Sequence, residues 1–119
     1  MRVNMVEQGE IFFLHIEGRL EIEKIKFLTS QLKSKFQNKK VVFCLEKLSF
    51  VGSCGIQKFF LDIDELHKKQ IIEARIVGLP QDFRYMLRFN QIANLEFLEN
   101  VQVAVESFLL PPVVNQTLI

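Results

Sequence analysis

Very few residues in this chain are equipped for chemistry. Among 119 residues there are two histidines, His15 and His67, and two cysteines, Cys44 and Cys54. His15 lies in an apolar run and His67 near the end of a helical pattern. Both read as structural side chains, because acid–base catalysis needs groups brought together in space. The four residues form no Cys-x-x-Cys or His-x-x-x-His pair of the kind that holds a metal. Neither glycine-rich phosphate-binding pattern is present. Gly52-Ser53-Cys54-Gly55 is not a nucleophile elbow, since Val51 stands two places before Ser53, where that motif has glycine. The expectation is a non-enzymatic chain with no catalytic residue, no metal and no cofactor.

What remains is Leu48-Ser49-Phe50-Val51-Gly52-Ser53-Cys54-Gly55-Ile56, where an apolar strand passes into a helix. The first turn of a helix carries free backbone N–H groups and positive dipole potential. Such a place receives a carboxylate, a phosphate or the polar edge of a partner. Ser53 is placed to cap the helix. The same field would lower the pKa of a thiol at Cys54, which opens a redox-sensor reading, although no resolving cysteine is near in sequence. Cys44, in the buried strand, packs as a small hydrophobe. Two readings of the corner stand side by side: a tight turn whose small residues allow close packing, or a docking place.

The elements that position this corner follow from periodicity. Val3 to Val6 and Ile11 to Ile16 read as strands joined by a hairpin at Gln8-Gly9. From Glu21 to Phe36 the period lengthens, and Ile22, Ile25, Leu28, Leu32 and Phe36 share one helical face. Val41 to Leu45 is a strand apolar on both faces. A helix from Ser53 to Lys69 buries Ile56, Phe59, Phe60, Ile63 and Leu66 and turns Lys58, Asp62, Glu65 and Lys69 to water. Ile72 to Val77 is a strand closed by Gly78, and Pro80 opens a helix expected to reach Asn90. Leu95 to Leu98 is a short strand. A last helix, Val101 to Leu109, turns Val101, Val105, Phe108 and Leu109 inward and stops at Pro111-Pro112. Strands alternating with helices predict an α/β domain with a largely parallel sheet, plus the early hairpin.

Composition narrows the class. Fifteen Lys+Arg against fourteen Asp+Glu leave a net charge of +1, which speaks against a nucleic-acid or anionic-membrane binder. The basic pairs Lys39-Lys40 and Lys68-Lys69 read as solvated element ends, and the twelve Phe fall at core spacing rather than on a stacking platform. Glu7 and Glu10 break any secretory core near Met1, and no apolar run is long enough to insert in a membrane. The expectation is one cytoplasmic domain over residues 1–110 with a C-terminal tail, 111–119.

Leu48 to Ile56, with Gly18-Arg19-Leu20 before and Gly78-Leu79-Pro80 after, resembles the domain of sulfate transporters and anti-sigma-factor antagonists, the STAS domain. The likeness extends to about Leu109. The family turn is of the type Leu-Ser-x-x-Asp-Ser-Ser-Gly-Leu, so Gly52 stands at its acidic position, Ser53 at the first serine and Cys54 at the second. Gly18-x-Leu20 is similar to the family's Gly-x-Leu-Asp, with Glu21 at the last place. Where the family has Gly-Leu after the third helix, this chain has Gln91-Ile92. The resemblance implies a mixed sheet of about five strands with about four helices packed on it.

In bacterial antagonists of this family the second serine is phosphorylated by an anti-sigma factor that is also a serine kinase, and the unphosphorylated form binds that kinase. Phosphorylation adds about −1.5 to −2 charges, enough to expel a partner. The resemblance therefore implies a transcription-regulating interaction module in which Cys54 occupies a degenerate phosphorylation position beside Ser53. Its partner surface would comprise Arg19, Leu20, Glu21, Gly52, Ser53, Cys54, Gly55, Gln57, Lys58, Leu79 and Pro80. The alternative within the family is a subunit docking on a membrane transport ATPase. In either case the tail offers a route to oligomers by pairing with a sheet edge on a neighbour.

Overall fold

The structure is a computed structural model; it describes residues 1–49, 53–85, 87, 92 and 94–109, with Ser53 and Cys54 described by their backbone alone. The tail 111–119, Gly52 and the Gln91-Ile92 pairing with its neighbours therefore lie wholly or partly outside the described residues. In chain order the elements are β1 (Arg2–Gln8), β2 (Ile11–Glu17), α1 (Ile22–Lys35), β3 (Lys39–Cys44), α2 (Ser53–Lys68), β4 (Ile72–Val77), α3 (Gln81–Arg84), β5 (Glu96–Leu98) and α4 (Val101–Leu109). They build one five-stranded sheet in the order β1-β2-β3-β4-β5. β1 is antiparallel to β2, in unbroken register from Arg2↔Glu17 to Gln8↔Ile11, and every other neighbouring pair is parallel. This is the mixed α/β sheet that the alternation of periods predicts.

Strand pleat divides the core in two. Leu14, Ile16, Val41, Phe43, Leu45, Ala74 and Ile76 point to one face, where Ile25 and Leu32 of α1 and the full α2 stripe of Ile56, Phe59, Phe60, Ile63 and Leu66 meet them. Ile11, Phe13, Val42, Cys44 and Val77 point to the other face, under Ala104 and Phe108 of α4. β3 is thus apolar on both sides because helices cover it on both sides.

Three expectations are corrected. In α1, Ile22 is half exposed, and only Ile25 and Leu32 of the predicted line are fully buried. α3 is a four-residue helix preceded by Pro80, not a helix reaching Asn90 through the described residues. Phe83 and Leu87 are both buried, and a turn closed by the Leu87 N–H on the Arg84 carbonyl brings Leu87 there. In α4, Ala104 and Phe108 face inward, whereas Val101 is exposed and Leu109 is 73% exposed. The cause lies across the sheet: Arg75 of β4 lays its guanidinium 4.3 Å from the centre of the Phe108 ring and donates to Ser107 Oγ at 2.7 Å. α4 therefore rotates to sit on a cation as well as on apolar atoms.

Candidate functional site: the carboxyl end of the parallel strands

β2, β3 and β4 are parallel, so the loops that leave them emerge at the same end of the sheet. These loops hold the residues singled out from sequence: Arg19 to Glu21 after β2, the corner after β3, and Leu79-Pro80 after β4. Hydrogen bonds fasten them together. Gly18 N–H donates to the Lys47 carbonyl and Ser49 N–H to the Gly18 carbonyl, both at 3.0 Å, which makes a short parallel bridge between Gly18 and Leu48. Leu45 N–H donates to the Val77 carbonyl at 3.0 Å, and Leu48 N–H closes a turn on Leu45 at 3.1 Å. The loop entering α2 is held from both sides before it reaches the helix.

Gly78 shows how close the fit is. Its φ is +72°, in the left-handed region open to glycine, and a Cβ there would stand 3.2 Å from both the backbone nitrogen and the Cβ of Glu46. Glu46 therefore packs directly over Gly78. Nothing in the sequence pattern marks Glu46 or Lys47 as part of this end; the contacts are long-range and leave no local signature.

The predicted surface residues separate into two kinds. Leu20 is 7% exposed and Leu79 6% exposed, and both belong to the core under α1 and α2. Their side chains are anchors that pin the loops, which corrects their assignment as contact residues. Arg19 and Glu21 are exposed, and Pro80, Gln57 and Lys58 are partly exposed. Glu21 receives the Met1 amino group and Lys24 Nζ, each at 3.0 Å, and these hold its carboxyl below the ordinary range, the amino group first. Lys58 reaches both Asp62 oxygens at 3.2 and 3.3 Å, one turn along α2.

α2 presents its first turn as a fixed object. Phe59 packs edge-on against Phe43 and Phe60, with centroids 6.1 and 5.1 Å apart. Asp64, 6% exposed, accepts from Asn94 N–H at 3.0 Å and Asn94 Nδ2 at 3.3 Å, tying α2 to the segment before β5. At the opening of the helix, Ser53 and Cys54 are helical, and the predicted cap and thiol interactions of their side chains lie outside the described residues. Gly55 follows. Among the described residues, no heavy atom beyond its chain neighbours and the helix's own backbone stands within 4 Å of the place a Cβ would take there. Nothing among the described residues packs against Gly55 closely enough to require a glycine there.

Other polar groups fit structural roles. His67 Nδ1 accepts the Ala74 N–H at 3.1 Å, and burial, then the Arg75 charge, lowers its pKa. Cys44 is buried and its thiol is pushed up to about 11 by that burial and by Glu46. A cavity of about 300 Å³ is lined by Asn4, His15, Glu17, Cys44 and Glu46 among others, yet no cluster among the described residues has the make-up of a metal site. None of the helices described is long and apolar enough to cross a membrane.

Comparison with known proteins gives a consistent result. The unphosphorylated anti-sigma factor antagonist SpoIIAA superimposes with a TM-score of 0.66 at 12% identity, covering 91% of this chain and 97% of that one. A Ser-to-Glu variant of RsbS from Moorella thermoacetica gives a TM-score of 0.66 at 13% identity, over 90% of this chain and 94% of that one. At such identities the likeness establishes the fold. A comparison with curated protein sequences found no match. The STAS domain family model matches residues 2–107, which takes in every element from β1 to α4 except the last two residues of that helix, and the chain belongs to the STAS domain family.

Proposed function

We propose that this chain is a regulatory, non-enzymatic module of the cytoplasm that binds a protein partner at the carboxyl end of its parallel strands. The observation that carries the reading is the first turn of α2: among the described residues nothing stands within 4 Å of a Cβ at Gly55 beyond the helix's own backbone and its chain neighbours, on a helix locked from below by Phe59 and Phe60. A helix opening with Gln57 and Lys58 next along it, and Arg19 on a loop at the same end of the sheet, suits a partner that brings carboxylates or backbone carbonyls to it. The partner class is an anti-sigma factor of the serine-kinase type, as the likeness to SpoIIAA and RsbS supports.

The switch in such a system is phosphate on the turn serine, and this chain carries Cys54 at that position and Gly52 at the acidic one. A thiol does not replace a hydroxyl as a kinase substrate, so the module stays in its binding-competent form. The test is affinity capture from the native cell with the full chain and with Cys54→Asp, a crude phosphate mimic. The expected result is an ATP-binding serine kinase retained by the first and lost by the second. Capture of a transport ATPase would move the module to transporter regulation, and unchanged capture by Cys54→Asp would refute the surface. Stoichiometric phosphate on Ser53 after incubation with the captured kinase would refute the loss of the switch.

A further inference from the structure

On the α4 side of the sheet, three strands bring a polar row together at the docking end. Asn4 of β1 stands opposite His15 of β2, and His15 opposite Cys44 of β3. With Glu17, Glu46 and Lys47 they line a cavity of about 300 Å³, the lower end of ligand-pocket size and room for one long side chain. Glu17 is met by Arg2 and by Lys47 Nζ at 3.7 Å, so the charges of Glu17 and Lys47 are matched within the chain. Glu46 differs. It is exposed, and its carboxylate makes no hydrogen bond or ion pair among the described residues. The Asn4 amide and the His15 ring likewise have no hydrogen-bond partner among them. Gly78 fixes where Glu46 stands, because the Glu46 backbone nitrogen and Cβ each lie 3.2 Å from the place a Cβ of residue 78 would take, and the Oε2 atom lies over the same glycine.

We propose that this cavity is a socket for one arginine side chain of the protein partner, with Glu46 as the carboxylate that receives it. The inference rests on the reading of this end of the sheet as the docking surface. A guanidinium carries five N–H donors in a planar fork and no acceptor. The cavity offers the complement: the Glu46 carboxylate, the Asn4 amide oxygen and an imidazole nitrogen of His15. An acidic side chain would meet Glu46 as a like charge, and an apolar one would take water from these groups without replacing its hydrogen bonds. Among the charged residues in the loops after β2, β3 and β4, Glu21 and Lys47 are ion-paired within the chain. That leaves Arg19 and Glu46, of opposite sign, to meet a partner. The socket lies on the α4 side of the sheet and the first turn of α2 on the other, so a partner spanning the end of the sheet touches both and its orientation is set.

An NMR titration of the isotope-labelled full chain with N-acetyl-arginine amide tests the socket without the partner. The expected result is saturable shifts at Asn4, His15 and Glu46, and none with the citrulline analogue, which keeps the shape and loses the charge. Glu46→Gln should weaken the arginine probe by at least about fivefold. Glu46 is exposed and glutamine keeps its Cβ, so this variant should melt with the parent. Equal shifts from the two probes, binding indifferent to Glu46→Gln, or no saturable shift would each overturn the proposal. Affinity capture with Glu46→Lys then ties the socket to the partner, which this variant should fail to retain. A partner lost by Cys54→Asp but kept by Glu46→Lys would refute the socket and leave the docking surface standing, whereas one kept by both variants would refute the surface and the socket with it.

Discussion

Replacing Gly78 with alanine measures how firmly the docking end is held. The residue has φ +72°, and an alanine forced into the left-handed region costs about 1–2 kcal/mol. A Cβ at Gly78 also stands 3.2 Å from Glu46 N and Cβ, so the loop after β3 must give by a few tenths of an ångström. The exposed carboxylate of Glu46 can rotate away, but its backbone nitrogen cannot, because Leu45 N–H is bonded to the Val77 carbonyl next door. We expect a total loss of about 2–3 kcal/mol. Gly9 is an internal control: its φ is +63° and nothing lies within 4 Å, so Gly9→Ala should show the backbone cost alone. Urea denaturation of both variants gives the difference, with unchanged slopes showing that the unfolded state is not the cause. Adding Glu46→Ala to Gly78→Ala should restore little, since the backbone contact remains. If Gly78→Ala costs no more than Gly9→Ala, the tight packing of Glu46 over Gly78 is wrong.

Asp64→Ala removes the buried carboxylate that accepts both Asn94 bonds and should cost about 1–2 kcal/mol by the same assay, with a loss under half a kcal/mol refuting the tie. His67 binds a proton less readily folded than unfolded, so its stability contribution is whole above about 6.5 and falls as the pH drops below that. His67→Gln should flatten that part of the stability–pH curve, and an unaltered slope would contradict the assignment. Cys44, with its thiol at about 11 and only 2% exposed, should react far more slowly with a thiol reagent in the native protein than after unfolding. Native labelling of Cys44 at the rate of a free thiol would contradict its burial.

Much of the fold was legible because local periodicity and tertiary burial agree. Ile56, Phe59, Phe60, Ile63 and Leu66 recur at helical spacing and are all buried against a strand that reads as apolar on both faces. Agreement broke down where a distant residue decides. Leu109 looks inward by spacing, but Arg75, on a strand far off in sequence, occupies the seat beside Phe108. Leu87 follows Phe83 at helical spacing and is buried by a turn instead. At the site, the small-residue corner and its flanking loops could be named from sequence, since Gly18 and Gly78 mark the strand ends. The inward direction of Leu20 and Leu79 could not, because a leucine in a loop gives no sign of whether it anchors or contacts. Glu46 over Gly78 and Asp64 on Asn94 are pairs whose members lie about thirty residues apart, and composition carries no trace of them.

Gly55 is the most direct place to test partner docking. A tyrosine there enters space that the described residues leave open, so Gly55→Tyr should melt within a few degrees of the parent and yet bind the captured partner at least about tenfold more weakly. Equal affinity in a folded Gly55→Tyr protein would mean that the partner does not sit on the opening of α2.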